Sequence, residues 1–280
     1  MTSRTADGRV AVVQAARSFL FVPGDRPERF GKAAAAGADV VIVDLEDAVA
    51  AAAKNGARDA VLAWLRAGSS AAVRVNAVDS PHHEADLTAL QGLTSLVAVV
   101  LPKAADADTA ASVAERTGAP VLALVESAAG MVRARKLAEA PGVARLAFGH
   151  LDYAVDLGAD HGRTAMLHAR STLVLASRAA GLPGPVDGVT VALDDPAVLA
   201  DDLTHGRELG MSGKLLIHPR QVEATHAAYR PSDGDVAWAQ RVLAAVAGSD
   251  AGQGAIRLDG QMVDPPVVAR AEDILRRKDR

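Results

Sequence analysis

Charged residues recur at the ends of predicted strands along this chain. Glu46 and Asp47 close the run VVIVDLED, Arg74 lies in AVRVN, and Glu126 and Asp152 follow two later apolar runs. Charged groups at the carboxyl ends of successive strands, with helices between them, are the way a β/α barrel assembles an active site. The pattern therefore predicts both the architecture and the end of the barrel at which chemistry takes place.

Short apolar runs alternate with helical patterns over most of the chain. Most runs are continuously apolar, as in parallel strands buried on both faces, and several helical patterns end at glycine. An open doubly wound sheet usually has fewer strands, and its fingerprint G-x-G-x-x-G is missing after the first strand. We therefore predict an α/β fold, a (β/α)8 TIM barrel. The predicted strands are Ser18–Val22, Val40–Asp44, Ala72–Asn76, Leu96–Leu101, Val121–Val125, Val143–Phe148, Gly188–Leu193 and Lys214–His218.

The predicted barrel covers residues 17–230 and leaves a segment on each side. Residues 1–16 carry charges but lack the continuous apolar stretch of a secretory signal, so we expect a flexible tail. Residues 231–280 have the pattern of a helix, a hairpin with an Asp-Gly turn and a last helix, and we expect them to form a C-terminal lid and oligomerisation extension. Asp264, fixed before two prolines, is either a general acid/base carried by this lid or the N-cap of the last helix.

Composition excludes several classes of protein. The net charge of -4 and the pI near 6.1 argue against nucleic-acid binding. No apolar run approaches the roughly 20 residues that cross a membrane. The absence of cysteine excludes disulfides and thiol chemistry and leads us to expect a cytoplasmic enzyme. Half of the residues are apolar but only 3% are aromatic, so the core should be aliphatic.

Two carboxylates point to a metal site. Glu126 and Asp152 follow neighbouring strands with no cysteine or histidine cluster beside them, which favours an oxygen-preferring cation such as Mg²⁺, with Mn²⁺ as a close equivalent. The alternative for each is an ion pair with an arginine or a helix cap. His150 lies in the same loop, but a lone histidine there is more often hydrogen-bonded, so we leave it out of the metal set.

The segment VDLEDAV brings three carboxylates together. They need a cation, a metal-bound water or a basic partner nearby. Strand alternation predicts that Asp44 and Glu46 point one way and Asp47 the other. Glu46 and Asp47 are expected to hold waters on the metal or to pair with Arg17 or Lys103.

Basic residues supply the predicted substrate contacts. Arg74 lies inside an apolar strand and needs a partner, either a substrate carboxylate or enolate oxygen, or Glu46. Arg26 and Lys32 lie near a helix N-terminus and are candidates for the phosphates of a nucleotide-bearing thiol, with simple solvation as the alternative. Arg17 and Lys103 complete the predicted substrate- and cofactor-binding set.

Several segments together resemble the citrate lyase β subunit/malyl-CoA lyase-like family of β/α-barrel lyases, in the HpcH/HpaI aldolase superfamily. They cover nearly the whole chain in the family's order. The chain departs from the family at His150 and Leu151, where members often carry Ala-Glu, and in the short loop Ala159–Met166, but Asp152 is retained. The matching segments are Arg17–Phe30, Asp44–Val49, Val73–Asn76, Leu101–Lys103, Ala123–Gly130, Gly149–Gly158, Gly213–Gln221 and Gly260–Ala271.

The resemblance implies a Mg²⁺-dependent carbon–carbon lyase, or the reverse Claisen condensation. Family members cleave 3-hydroxyacyl thioesters such as malyl-CoA or citramalyl-CoA to a 2-oxo acid and an acyl-CoA. By position, the resemblance implies that Glu126 and Asp152 bind the metal and that Arg74 steadies the developing enolate and carboxylate. It also implies that Glu46 and Asp47 hold metal-bound waters.

The resemblance assigns Asp264 the proton transfer at the acetyl carbon. In related enzymes that aspartate comes from the lid of a neighbouring subunit, which implies a homotrimer or a hexamer. Three alternatives remain: a citrate lyase β subunit acting on citryl bound to an acyl carrier protein, a metal-dependent aldolase on free pyruvate, and a non-catalytic barrel that binds an oxo acid. The GQMVD segment favours thioesters, and Asp264 beside both metal carboxylates counts against a non-catalytic barrel.

Overall fold

The structure is a computed structural model. It describes residues 3–247, 256–258 and 260–278. The chain divides into two compact units, Met1–His226 and Ala227–Arg280. The boundary predicted from the sequence, between residues 230 and 231, falls close to this division, while the predicted lid function of the second unit stays a prediction.

The first unit is a closed barrel of eight parallel strands, as predicted. Each strand pairs with the next in chain order, and the last pairs with the first through Ser18 and Lys214, Phe19 and Leu215, and Leu20 and Leu216. Nearly every strand residue is buried, because helices cover the outside and side chains fill the inside. The strands are Ser18–Pro23 (β1), Val40–Asp44 (β2), Ala71–Arg74 (β3), Leu96–Leu101 (β4), Val121–Val125 (β5), Val143–Phe148 (β6), Val186–Asp187 (β7) and Gly213–Leu216 (β8).

The seventh strand is misplaced in the sequence prediction. The apolar run Gly188–Leu193 was predicted to be this strand, but β7 ends at Asp187. Asp187 is buried and forms ion pairs with Arg170 and Lys214, and the chain leaves the sheet after it. Val191 in the following run is exposed, so its apolar pattern does not mark a buried strand.

Helices follow most strands and form the outer layer. One of them, His150–Leu157, begins where the sequence predicted only a loop. Short 3₁₀ turns at Pro27–Arg29 and Ala51–Ala53 precede two of the helices. The helices of this layer are Ser3–Ala15 (α1), Phe30–Ala34 (α2), Lys54–Arg66 (α3), His83–Leu90 (α4), Ala107–Thr117 (α5), Ala128–Val132 (α6), Ala134–Ala138 (α7), His150–Leu157 (α8), Arg163–Ala179 (α9), Pro196–Leu209 (α10) and Gln221–Tyr229 (α11).

The segment expected to be a flexible tail instead contains helix α1. Val13 and Ala16 are buried in the same apolar cluster as the inward-facing side chains of the barrel, including Phe19 and Leu122. The helix therefore covers the amino end of the barrel. This segment has neither the apolar run of a signal sequence nor the pattern of a strand. Its helix is stabilised by packing against strands that are distant in the sequence, and a local pattern does not indicate such packing.

Arg145 of β6 holds this helix in place. Its guanidinium is fully buried and donates hydrogen bonds to the carbonyl oxygens of Val13, Ala16 and Gly184 and to the Ser212 hydroxyl. A buried charge needs such partners to offset the loss of hydration. The arginine thus joins α1 to three regions of the barrel.

The second unit is a helix–hairpin–helix, as predicted. Its strands pair antiparallel, and its two helices share an apolar cluster that includes Val236, Val242, Val263 and Ile274. Asp259 of the predicted turn lies outside the described residues. The elements are Asp233–Ala247 (α12), Ile256–Leu258 (β9), Gln261–Val263 (β10) and Pro265–Lys278 (α13).

Among the described residues, no helix combines the length and the apolar character that crossing a membrane requires.

Replacing Arg145 with methionine should destabilise the first unit. The change leaves several carbonyl groups at the amino end without their donor, and we expect the free energy of unfolding to fall by about 3 kcal/mol or more. Chemical denaturation measures the loss, and Arg178→Met, at an exposed position of α9, is the control with an expected change below about 0.5 kcal/mol. Equal effects of the two changes would contradict the anchoring role of Arg145.

Candidate active site

A pocket of about 250 Å³ opens at the carboxyl end of the barrel. It is the end at which β/α barrels carry their catalytic groups. Its wall combines charged side chains with the apolar faces of Phe21, Phe148 and Ile217. The charged and polar residues that line it are Asp44, Asp47, Arg74, Glu126, His150 and Asp152.

Arg74 is held in a fixed orientation by Asp44. Its Nε and Nη2 atoms donate to the two oxygens of Asp44 at 2.7 and 2.6 Å, and Nη1 lies 3.2 Å from Asp47 Oδ2. The guanidinium also lies over the Phe21 ring, 5.1 Å from its centroid. A bidentate pair of this kind fixes the plane of the guanidinium. This role of Asp44 was not predicted from the sequence, although Asp44 and Arg74 are direct partners in the register of β2 and β3.

Glu46 is buried behind Arg74 and does not line the pocket. Its Oε2 atom lies 3.1 Å from Arg74 Nη1, and its Oε1 atom lies 3.7 Å from Lys103 Nζ, but neither oxygen accepts an aligned hydrogen bond among the described residues. Burial raises the pKa of Glu46 to about 8; Arg74 acts against this rise and Asp47 adds to it.

The predicted division of the carboxylates between two sides is wrong. Asp44, Glu46 and Asp47 all contact Arg74. Side chains alternate only within a strand, and β2 ends at Asp44, where the chain enters a turn in which the Glu46 and Ala48 amides donate hydrogen bonds to the Asp44 carboxylate. Glu46 therefore lies within ion-pair distance of Arg74 and Lys103, which is the alternative role expected for it. Its role in holding metal-bound water stays a prediction.

Glu126 combines a bound oxygen with an unpartnered one. Its Oε1 atom accepts the Lys103 backbone amide at 2.7 Å, whereas the buried Oε2 atom has no hydrogen-bond partner among the described residues. Burial raises the pKa of Glu126 to about 7; the Lys103 amide opposes the rise and the charge of Asp152 adds to it. Gly149 is required beside it, since a Cβ atom there would collide with the Glu126 carboxylate.

Lys103 directs its amide to Glu126 through an unusual backbone conformation. Its φ of 49° is the one positive φ at a non-glycine residue in the described part of the chain. The left-handed region is disfavoured for a residue with a Cβ atom, and such conformations concentrate at functional sites. The strained turn after β4 therefore orients one oxygen of a carboxylate that follows β5.

Asp152 lies in the first turn of α8 and is exposed at the pocket. The described residues contain no group of three or more His, Cys, Asp or Glu side chains arranged as a closed metal site. Two carboxylates with open positions nonetheless fit a hard cation that keeps waters and shares a ligand with its substrate. The buried, unpartnered Oε2 atom of Glu126 is the observation that supports this fit.

His150 contributes a buried imidazole to the same wall. Burial lowers its pKa to about 4, so the ring is neutral near physiological pH. Its Nδ1 atom has no hydrogen-bond partner in the described part of the chain. His150 is not among the predicted site residues, and the signal that could have identified it was its unusual place close to Asp152 in the sequence.

The predicted basic residues divide between the two ends of the barrel. Arg17 lies just before β1 at the amino end, where it pairs with Asp39, so it is not part of this pocket. Arg26 is exposed beside Asp25. Lys32 lines a neighbouring cleft of about 380 Å³, together with the residues Arg29 and His218, which the sequence analysis did not single out.

Asp264 lies in the second unit, before α13. Its Oδ1 atom accepts a hydrogen bond from the Val267 amide at 3.2 Å, as expected for the N-cap of the last helix. Its role as an acid/base stays a prediction.

Comparison with known proteins identifies the family to which these features correspond. The family described as HpcH/HpaI aldolase/citrate lyase matches residues 17–219. A citrate lyase subunit beta-like protein of Deinococcus radiodurans is 41% identical over 275 residues, which cover 92% of this chain and 96% of the relative. A (3S)-malyl-CoA thioesterase of Cereibacter sphaeroides is 35% identical over 267 residues, covering 92% and 93%.

Among solved structures, the protein CitE from Mycobacterium tuberculosis in complex with magnesium, acetoacetate and coenzyme A is similar to this chain. Its TM-score is 0.83 at 38% sequence identity, and the match covers 95% of this chain and 100% of that one.

The metal-free protein should lose stability through Glu46 as the pH rises. The folded-state pKa of about 8 lies above the ordinary glutamate value of 4.5, so the folded protein binds the Glu46 proton more tightly than the unfolded chain between these values. Stability then falls with rising pH, by at most about 1.4 kcal/mol per pH unit for one proton. Denaturant titrations in EDTA, comparing the protein with Glu46→Gln, isolate this contribution. A constant difference between the two curves from acidic pH to pH 8 would contradict it.

Proposed function

The chain belongs to the HpcH/HpaI aldolase/citrate lyase family and is an enzyme of the lyase type, and we propose that it cleaves a 3-hydroxyacyl-CoA thioester of the malyl-CoA or citramalyl-CoA type. The products are a 2-oxo acid and an acyl-CoA, and the reverse condensation uses the same groups. The observation that carries the proposal is the unpartnered Glu126 carboxylate oxygen, in a pocket that also contains Asp152 and the oriented Arg74.

Mg²⁺ is the cation we assign to Glu126 and Asp152, by the fit of their oxygens and because the CitE structure similar to this chain contains magnesium. Bound there, Mg²⁺ would polarise the carboxylate and the adjacent oxygen of the 2-oxo acid fragment. Lys103, through its amide, and Gly149, by leaving space, keep the Glu126 carboxylate in the position this requires.

The reaction breaks the bond between the hydroxyl-bearing carbon and the carbon next to the thioester carbonyl. The hydroxyl group loses its proton and becomes the carbonyl of the 2-oxo acid, while the bonding electron pair passes to the acyl fragment as an enolate. The enolate carbon then gains a proton and the acyl-CoA is complete. Catalysis requires stabilisation of the enolate charge and a proton donor at that carbon.

Arg74 is the residue we assign to the developing negative charge. Its Nε and Nη2 atoms are occupied by Asp44, so the fork cannot rotate, and it lies at the pocket wall with its positive charge already oriented. A preoriented charge stabilises the transition state without a cost of reorganisation at the moment of reaction. Asp44 and Glu46 act through Arg74 and position it.

The cleft beside the pocket is the proposed site of the CoA moiety. Arg29, Lys32 and His218 line it, and Phe21 and Ile217 belong to the walls of both the cleft and the pocket. Basic side chains suit phosphate groups, and the shared wall would let a long carrier arm reach from one to the other. CoA is bound in the related CitE structure, which supports this assignment. Arg26 extends the basic surface at the exposed side.

Asp264 is the proposed proton donor to the acyl carbon. In related enzymes this aspartate belongs to the lid of a neighbouring subunit, so the proposal includes a homotrimer or hexamer in which lids are shared. The N-cap bond that Asp264 accepts from Val267 leaves its second oxygen available for this role.

The names of the relatives suggest two other reactions. A (3S)-malyl-CoA thioesterase would hydrolyse the thioester, and a citrate lyase β subunit would act on citryl bound to an acyl carrier protein. The thioesterase reaction gives a different product from the same CoA substrate, whereas the citrate lyase subunit needs a different substrate.

Malyl-CoA or citramalyl-CoA should be cleaved by the purified protein with Mg²⁺ and not with EDTA. We expect a 2-oxo acid and acetyl-CoA in equal amounts, as chromatography and mass spectrometry can quantify. Free CoA without acetyl-CoA would indicate the thioesterase reaction, and activity only with the acyl-carrier substrate would indicate the citrate lyase subunit.

Glu126→Gln should abolish Mg²⁺-dependent binding of pyruvate in isothermal titration, whereas Glu115→Gln, exposed on α5, should retain it.

Asp264→Ala should separate binding from turnover. Since Asp264 acts on the acyl carbon and not on the metal, the variant should retain Mg²⁺ and 2-oxo acid affinity while kcat falls by about 100-fold or more. Deuterium exchange into the methyl group of acetyl-CoA measures the proton transfer directly. Unchanged turnover and exchange in the variant would remove Asp264 from the mechanism.

A further inference from the structure

The turn that follows β2 shares the Asp44 carboxylate with Arg74. Asp44 Oδ1 accepts the Glu46 amide at 2.8 Å and Arg74 Nε at 2.7 Å, and Asp44 Oδ2 accepts the Ala48 amide at 3.1 Å and Arg74 Nη2 at 2.6 Å. Each oxygen therefore accepts one bond from the turn and one from the guanidinium. A change in the conformation of this turn, residues 44–48, would alter the orientation of the guanidinium as well.

Lys54, the first residue of α3, binds the carbonyl side of the same turn. Its Nζ atom donates to the carbonyl oxygens of Leu45 and Glu46, at 2.8 Å each. The Leu45 amide in turn donates to the Arg74 carbonyl oxygen at 2.9 Å, so this residue joins Lys54 to the end of β3. Hydrogen bonds from a charged donor are stronger than those between neutral groups. The turn is thus held by the Asp44 carboxylate at its amides and by an ammonium group at its carbonyls.

The same helix also holds the chain that leaves β3. Arg58 lies one helical turn after Lys54, and its Nε atom donates to Asp86 Oδ1 at 2.7 Å. Asp86 Oδ2 accepts the amide of Asn76 at 2.9 Å and its Nδ2 atom at 2.7 Å. Asp86 is fully buried, so its charge needs these partners. Asn76 follows Arg74 by two residues, and Asp86 therefore fixes the backbone just beyond it.

Lys54 and Arg58 act on the strand ends without belonging to the pocket wall. The wall includes Asp44 and Arg74 but neither of the two basic residues of α3. Residues four apart lie on one face of a helix, so a single face of α3 supports both β2 and β3 at the ends where their charged pair forms. Any effect of these residues on a substrate must pass through Arg74.

We propose that Lys54 and Arg58 are positioning residues, which set the orientation of the Arg74 guanidinium through the turn after β2 and the chain after β3. The inference rests on the proposed function, because it places their effect at the step in which Arg74 stabilises the enolate. A charge that is slightly misdirected stabilises the transition state less, while the contacts of the bound substrate elsewhere in the pocket remain.

Lys54→Met removes the ammonium and keeps a side chain of similar length. We expect kcat for cleavage of malyl-CoA or citramalyl-CoA to fall by about tenfold or more while KM changes by less than about threefold, since small errors of orientation reduce turnover strongly. Lys54→Arg can still donate to both carbonyl oxygens and should keep kcat within about threefold of the wild-type value. Arg58→Met should lower kcat in the same way as Lys54→Met, because it removes the partner of Asp86.

Two control variants separate orientation from general effects. Lys136→Met, at an exposed position of α7, removes the same charge and should leave kcat unchanged. Arg145→Met weakens the amino end of the barrel and should lower stability without lowering kcat per folded molecule. The stoichiometry of Mg²⁺-dependent pyruvate binding in isothermal titration gives the folded fraction of each variant.

Hydrogen exchange tests the hold of Lys54 on the turn without reference to any substrate. The Glu46 and Ala48 amides are bonded to Asp44 and should be protected in the wild-type protein. In Lys54→Met their exchange should be about tenfold or more faster, because the turn opens more readily without its bonds to the ammonium. Lys54→Arg and Lys136→Met should keep the protection.

The outcomes distinguish this inference from the function on which it rests. Unchanged kcat in Lys54→Met and Arg58→Met, or an equal fall of kcat in Arg145→Met, would overturn the inference and leave the lyase reaction standing. Unchanged exchange in Lys54→Met would overturn it whatever the substrate. If the wild-type protein cleaves neither thioester, the proposed function fails and the effect on kcat fails with it. A lower kcat with faster exchange in Lys54→Met, both restored in Lys54→Arg, would support the positioning role.

Discussion

The bidentate pair between Asp44 and Arg74 is the interaction on which the arrangement of the active-site end depends. It joins the ends of β2 and β3 and is almost wholly buried. Breaking a buried ion pair by removing one partner costs several kcal/mol, because the other charge is left without compensation. Asp44 fixes two of the Arg74 nitrogens, and the remaining nitrogen, Nη1, contacts Glu46 and Asp47. The positive charge of Arg74 therefore has a fixed position at the pocket.

Burial makes ionisation of the carboxylates near Arg74 less favourable than it is in water. Burial raises the pKa values of Glu46 and Glu126 to about 8 and about 7. Glu126 keeps one buried oxygen without a partner, and Lys103 adopts a left-handed backbone conformation to bind the other. Backbone strain and shifted pKa values cluster at functional sites, so their concentration at this end of the barrel supports the proposed site for a cation and an anionic substrate.

Buried charged side chains have different roles at the two ends of the barrel. At the amino end, the guanidinium of Arg145 is enclosed by carbonyl oxygens and by α1, and its hydrogen bonds serve stability. At the carboxyl end, Arg74 lines the active-site pocket, and Glu126 keeps one oxygen there without a hydrogen-bond partner among the described residues. The division matches the general separation of stability and catalysis between the two faces of such barrels.

Local pattern in the sequence determined most of the barrel and much of the site. Continuous apolar runs identified the strands other than β7, and the order of charged residues placed Arg74, Glu126 and Asp152 at one pocket, because strand ends of a parallel barrel share one face. Only the tertiary structure decided three arrangements: the pairing of Asp44 with Arg74, the packing of α1 against the amino end of the barrel, and the position of Arg17 at that same end. These depend on contacts between residues far apart in the chain, which periodicity and spacing do not encode.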